Sequence, residues 1–165
     1  MFKGLKDLLE KEETSKIVLK SPFRGKLLPL YKVPDPQFSD ELLGKGAAVM
    51  PSQGYAAAPI DGTIINVFKG KNAFNMLSET GEEILVHIGL DTTKLHGEHF
   101  ELLVEKNQTV KQGDKVIKFN LEKLVELGYN MCSPVVVSNS VEYEYVASLE
   151  EREVDYDDDI IEIRR

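Results

Sequence analysis

The chain carries three histidines, His87, His96 and His99, and a single cysteine, Cys132. These are the side chains best suited to act as nucleophiles or metal ligands near neutral pH. His87 lies in the run Glu83-Ile84-Leu85-Val86-His87-Ile88-Gly89-Leu90-Asp91-Thr92. An imidazole in so apolar a run is either a satisfied, half-buried core residue or a positioned reactive group. Such a setting disfavours the imidazolium and keeps the ring neutral. A neutral ring has one free nitrogen lone pair. If a backbone carbonyl takes the N–H of the other nitrogen, the free one becomes a directed nucleophile. That suits a phosphoryl acceptor, because phosphoryl transfer is mostly positioning and charge stabilisation. His96 and His99 are three apart, a spacing open to metal ligation. Their segment contains Gly97 and no helical pattern, so they read as exposed loop histidines. No Cys/His array occurs and no metal is expected. Cys132, ahead of Ser133-Pro134, reads as a small buried residue. Glycine-rich phosphate-binding motifs are absent, and no cofactor is expected.

The elements that must position His87 are strands. Alternation places Ile84, Val86, Ile88 and Leu90 on one face of its strand and Leu85 and His87 on the other. Short runs rich in Val, Ile and Leu recur at 17–19, 26–30, 47–50, 63–67, 75–77, 83–88, 102–104, 115–119, 135–138 and 160–163, separated by Gly and Pro. This pattern predicts an all-β chain, an antiparallel sandwich or barrel with one or two short helices. The clearest helix is 121–127, with Leu121, Leu124, Val125 and Leu127 as its apolar face and Gly128 as its stop. Ser21-Pro22-Phe23-Arg24-Gly25-Lys26-Leu27 echoes Ala58-Pro59-Ile60-Asp61-Gly62-Thr63-Ile64. The repeated Pro-x-x-Gly turn is either a coincidence of common turn chemistry or the mark of a pseudo-duplicated sandwich. After the acidic run 150–159, Ile161 and Ile163 alternate with charge and predict a final edge strand.

Length and composition fit one globular domain: 165 residues, 42% hydrophobic and 29% charged. A net charge of −8 argues against nucleic acid as the main partner. The lone cysteine excludes an intramolecular disulfide and fits a reducing compartment. No apolar run approaches the ~20 residues that span a bilayer, and acidic residues interrupt the N-terminus too early for a signal peptide. A cytoplasmic protein is expected. Residues 1–16 form a tail in which Phe2, Leu5, Leu8 and Leu9 fall at helical spacing. It is either a frayed or docked tail or a weak membrane-surface contact through residues 1–13. Residues 17–165 form the domain.

Gly81 through Thr92 resembles the phosphohistidine signature of the glucose-type enzyme IIA family of the bacterial sugar phosphotransferase system. The likeness continues at Lys32-Val33-Pro34-Asp35, at 58–64, at Ala73-Phe74, at 94–100, at 110–114 and at 134–139, and spans roughly 17–165. The resemblance implies a β-sandwich with a shallow apolar depression around the histidine. It implies that His87 takes phosphate from the histidine-containing phosphocarrier protein and passes it to a cysteine of a sugar-specific IIB domain. By position, Asp35 and Asp91 match acidic residues flanking the family's site. Phe38, Phe68, Phe74 and Leu85 match part of its apolar docking surface.

The chain departs from the family pattern at one functional unit. The family's Thr-x-His-Ala-Phe stretch stands here as Gly70-Lys71-Asn72-Ala73-Phe74, so Asn72 replaces the supporting histidine and Gly70 the threonine that orients it. Lys71 is a candidate for compensating charge. Thr93 stands where the signature has an aliphatic residue. Two functions follow from the resemblance: a phosphocarrier acting through His87, or a regulatory module that binds partner proteins through the same apolar face without onward transfer.

Overall fold

The computed structural model describes residues 4–5 and 16–165. The expected amphipathic segment 1–13 lies outside the described residues apart from Gly4 and Leu5, which are helical. The strands are β1 (Lys16–Lys20), β2 (Gly25–Pro29), β3 (Lys45–Pro51), β4 (Tyr55–Ala57), β5 (Gly62–Val67), β6 (Ala73–Ser78), β7 (Glu83–His87), β8 (Phe100–Leu102), β9 (Thr109–Val110), β10 (Lys115–Phe119), β11 (Ser133–Val137), β12 (Tyr145–Ser148), β13 (Arg152–Val154) and β14 (Asp159–Arg164). Helices α1 (Pro36–Ser39) and α2 (Leu121–Glu126) join them, with 3₁₀ turns at Leu30–Lys32, Thr92–Leu95 and Ser140–Glu142.

All strand pairings are antiparallel. One eight-stranded sheet runs β13-β2-β3-β11-β7-β6-β5-β9, and two three-stranded sheets run β1-β14-β12 and β4-β10-β8. The order is symmetric. Exchanging β1, β2, β3, β11, β12, β13 and β14 with β4, β5, β6, β7, β8, β9 and β10 maps the large sheet onto itself and the two small sheets onto each other. The Pro-x-x-Gly echo is therefore structural. Its two copies bond reciprocally, Lys20 N to Pro59 O at 2.9 Å and Ala57 N to Pro22 O at 2.8 Å. Their next residues match too: Ser21 N donates to Asp158 O and Ala58 N to Asp114 O, both at 2.9 Å. Each glycine meets the neighbouring strand closely. A Cβ at Gly25 would lie 2.0 Å from Met50 O, and one at Gly62 2.2 Å from Leu77 O, so neither site admits a side chain.

The inner faces of all three sheets enclose one core, including Leu19, Phe23, Leu27, Phe74, Val86 and Ile161. A second, smaller cluster lies on the outer face of the large sheet, where Ala48, Ala73, Leu85 and Val136 are covered by Leu30, Val33 and Phe38. This cover explains why β11 reads as an unbroken Pro-Val-Val-Val run: both of its faces are buried.

Several expectations need correction. β14 is the middle strand of its sheet, not an edge, because β1 and β12 flank it. Residues 102–104 belong to β8 only at Leu102; the strand begins at Phe100. The short β4, β9, β12 and β13 were not legible as apolar runs. In α2 only Leu124 is fully buried, while Val125 and Leu127 are 58% and 47% exposed. Asn120 caps that helix by accepting from Lys123 N, and the helix is too short to bury a broad face. Helix α1 was missed, although Asp35-Pro36 is an N-cap followed by a first-turn proline.

Candidate functional site

β7 ends at His87, and the chain turns at Gly89. The alternation that holds for Ile84, Val86 and Ile88 in the main core and Leu85 on the outer face stops there. Leu90 joins the outer cluster instead of the main core, because the turn resets the direction of the side chains. The His87 ring is half-buried on the outer face, with Phe38 and Phe68 edge-on to it at centroid distances of 5.6 and 6.4 Å. Its Nδ1 lies 2.7 Å from Gly89 O. A carbonyl only accepts, so Nδ1 carries the proton and Nε2 keeps the lone pair. Burial lowers the ring's proton affinity below that of an ordinary histidine, although Gly89 O, Asp35 and Asp91 each pull the other way. The result is a neutral imidazole with one free nitrogen.

The carbonyl that orients His87 depends on a backbone few residues adopt. Gly89 has φ +69, and a Cβ there would lie 2.9 Å from Thr92 Cγ2 and 3.0 Å from Met131 Sδ. Its N–H donates to Ser133 Oγ at 3.0 Å, and Ser133 Oγ donates to Met131 O at 2.7 Å. Gly89→Ala is expected to cost about 1–3 kcal/mol in thermal unfolding through backbone strain. It is also expected to slow any reaction at Nε2 by tilting the ring. An alanine variant as stable and as reactive as the parent would refute this role for the turn.

Asp35 and Asp91 flank the ring from two elements. Asp35 caps α1 through Oδ1, which accepts from Gln37 N at 3.0 Å, and so fixes the helix that carries Phe38. Asp91 is exposed, with a left-handed φ of 59 at the start of the 3₁₀ turn. A cleft of about 650 Å³ runs beside them, lined by Pro34, Asp35, Gln37, Asp91, Lys94 and Tyr129 among others. His87 is not among its lining residues, so the cleft does not enclose the ring.

Asn72 is fully buried and stays in the neighbourhood: Ile88 N donates to its carbonyl at 2.8 Å. Its Nδ2 donates to Thr92 Oγ1 at 3.0 Å and to Thr93 Oγ1 at 3.1 Å. Both amide protons are therefore spent within the chain. Lys71 is exposed beside Gly97, in the left-handed region at φ 57. His96 closes the 3₁₀ turn on the β7–β8 connection and His99 follows it, 3.8 Å from Glu98.

The four apolar residues expected to form a landing surface divide. Phe38 and Leu85 are buried and make the floor beneath the ring; Phe68 is partly exposed. Phe74 is corrected outright. It is fully buried in the main core, one residue along β6 from Ala73, which faces the outer cluster, so the strand's two-residue period turns it away from His87. Exposed Leu42 and Leu43, 71% and 38% accessible just after α1, were not picked out from sequence, since isolated exposed leucines carry no local signal. Cys132 is buried in the outer cluster, and desolvation pushes its thiol up to about 11.

No helix among the described residues is long and apolar enough to cross a membrane. A model of the family described as the phosphoenolpyruvate-dependent sugar phosphotransferase system, EIIA 1, matches residues 17–143. The chain is 39% identical over 140 residues to the PTS system glucose-specific EIIA component of Bacillus cereus, covering 85% of this chain and 84% of that one. It is 37% identical over 154 residues to the glucose-specific EIIA component of Oceanobacillus iheyensis, covering 93% of each. It is 38% identical over 133 residues to the beta-glucoside-specific EIIBCA component of Bacillus subtilis, covering 81% of this chain and 22% of that longer protein. Among solved structures, glucose permease IIA from Mycoplasma capricolum superposes with a TM-score of 0.80 at 30% identity, over 89% of this chain and 95% of that one. With a duplicated antiparallel sandwich, this sequence agreement and a neutral, half-buried imidazole together, the chain belongs to the EIIA 1 family of the sugar phosphotransferase system and is a phosphoryl carrier of that system.

Proposed function

We propose that Nε2 of His87 accepts a phosphoryl group from the phosphorylated histidine-containing phosphocarrier protein and passes it to a cysteine of a sugar-specific IIB domain. The observation that carries this is the 2.7 Å contact of Nδ1 with Gly89 O, which leaves Nε2 as the one ring nitrogen with a lone pair. That pair forms the new N–P bond as the donor's N–P bond breaks, and the bonding electrons return to the donor's ring nitrogen. The proton stays on Nδ1, donated to Gly89 O, and that hydrogen bond helps offset the positive charge the ring gains. In the second step the IIB thiolate attacks phosphorus and the pair returns to Nε2. Phe68, packed on the cluster that holds Phe38 and Leu85, and the exposed Leu42 and Leu43 that follow α1 are the apolar side chains assigned to partner contact. Relatives at nearly equal identity are named for glucose and for beta-glucoside, which supports sugar choice lying in the partner.

The test is incubation with phosphoenolpyruvate, enzyme I and the phosphocarrier protein, followed by intact mass under non-acidic conditions. A gain of one phosphoryl group, lost on adding a IIB domain, is expected. A gain that persists with the IIB domain favours the regulatory reading, in which the chain docks partner proteins without onward transfer. That reading is supported by the commitment of both Asn72 amide protons to threonines. No gain at all rejects the carrier role of His87.

The acid limb of the acceptance rate follows from burial. The neutral ring is the acceptor, and burial holds its titration below the ordinary histidine value of 6.5. The rate is expected to stay level as pH falls through that value and to drop only below it. The same shift means the unfolded chain binds the proton more readily, so His87's contribution to stability also declines as pH falls below 6.5. An inflection at or above the ordinary value, by rate or by NMR titration of the ring, contradicts the burial argument.

A further inference from the structure

We propose that the Thr93 hydroxyl, held by Asn72, donates a hydrogen bond to the phosphoryl group carried on His87. The proposal rests on His87 being the acceptor. It begins from the orientation of the Asn72 amide. Thr92 Oγ1 donates its own proton to Ile88 O at 2.7 Å and has only lone pairs left. The group facing it at 3.0 Å must therefore be the amide nitrogen. This orientation leaves Asn72 Oδ1 buried without a partner, on the side of Gly70. Leaving a buried acceptor unpaired is costly, so the two N–H contacts on the other side fix the side chain.

The two threonines then differ in what they can do. Each accepts one proton from Asn72. Thr92 is buried and its hydroxyl proton is spent on Ile88 O. Thr93 is exposed, and among the described residues its hydroxyl donates to no acceptor. Thr93 is thus the hydroxyl of this pair with a proton to give. Accepting from Asn72 also polarises it toward donation.

Its place suits a phosphoryl group. Asn72 precedes Ala73, which pairs with His87 across β6 and β7, and Ile88 N is bonded to Asn72 O. Thr93 is two residues past Asp91, whose carboxylate is close enough to act on the His87 ring. A phosphoryl group on Nε2 brings negative charge near Asp35 and Asp91, and it needs donors to offset theirs. Asn72 has no proton left for that task, so it acts as a positioning residue through Thr93.

The test compares Thr93→Val with the parent chain, using the phosphorylated phosphocarrier protein as donor. Acceptance is expected to slow about tenfold, the loss of one hydrogen bond to a charged group. In phosphorus NMR, the ionisation of the phosphoryl group on His87 is expected to move to higher pH, since a donor that favours the dianion is gone. Thr93→Ser recovers most of what valine loses. Asn72→Ala gives the same two changes, and the double variant is little slower than either single one. Thermal unfolding confirms that each variant is folded at the assay temperature. Thr93→Val with parental rate and phosphoryl titration overturns the proposal while leaving His87 as the carrier. Losses at positions 72 and 93 that multiply also overturn it, because Asn72 then acts on its own. A parent chain that gains no phosphoryl group, or gains it elsewhere than on His87, removes the carrier reading and this proposal together.

Discussion

His87→Gln is expected to end phosphoryl acceptance outright. Glutamine keeps a donor for the Gly89 carbonyl and a side chain of similar reach, so the turn that closes β7 is retained. What it lacks is a nitrogen lone pair, because an amide nitrogen is not nucleophilic. No neighbour can substitute. Asn72 is an amide with both protons committed, and Cys132 is a buried thiol raised to about 11. His96 and His99 lie beyond the 3₁₀ turn on the β7–β8 connection, both in left-handed backbone, and among the described residues neither ring is held by a backbone carbonyl. The mass gain after incubation with phosphoenolpyruvate, enzyme I and the phosphocarrier protein should vanish while thermal unfolding shifts only modestly. A phosphoryl group that survives this substitution would place the carrier nitrogen elsewhere.

Phe74→Ala is expected to cost about 3–5 kcal/mol of stability, the range for deleting a buried phenyl ring. Phe74 is fully buried among main-core side chains drawn from all three sheets. Its strand pairs with β7 on one side and β5 on the other, so the void cannot close by moving an edge. The folded fraction should still accept phosphate at near the parent rate, because the ring lies on the opposite face of the sheet from His87. Denaturant unfolding read beside the phosphorylation rate separates the two effects. Unchanged stability with a weakened encounter with the phosphocarrier protein would return Phe74 to the docking surface.

Much of this protein could be read from its residues. Short runs of Val, Ile and Leu with Gly and Pro punctuation located ten of the strands, because β-propensity, turn chemistry and burial act within a few residues. Period-two alternation put Leu85 and His87 on one face, and the Pro-x-x-Gly echo offered duplication as one of two readings. What failed did so where no local rule applies. Tyr55–Ala57 and Thr109–Val110 are strands only because β10 and β5 offer them partners. The final strand was taken for an edge because alternation reports two faces of a strand and says nothing about its neighbours. Phe74 was assigned to the surface by position in a motif, whereas the register of β6 against β7 decides which way it points. The hydrogen-bond directions at the site were decided only by the folded backbone. The Nδ1 proton is placed by Gly89 O, and the Asn72 amide by Thr92 and Thr93 some twenty residues on. Sequence alone named the imidazole; only the fold set which of its nitrogens is free, since tautomer and hydrogen-bond direction depend on groups brought together by the sheet.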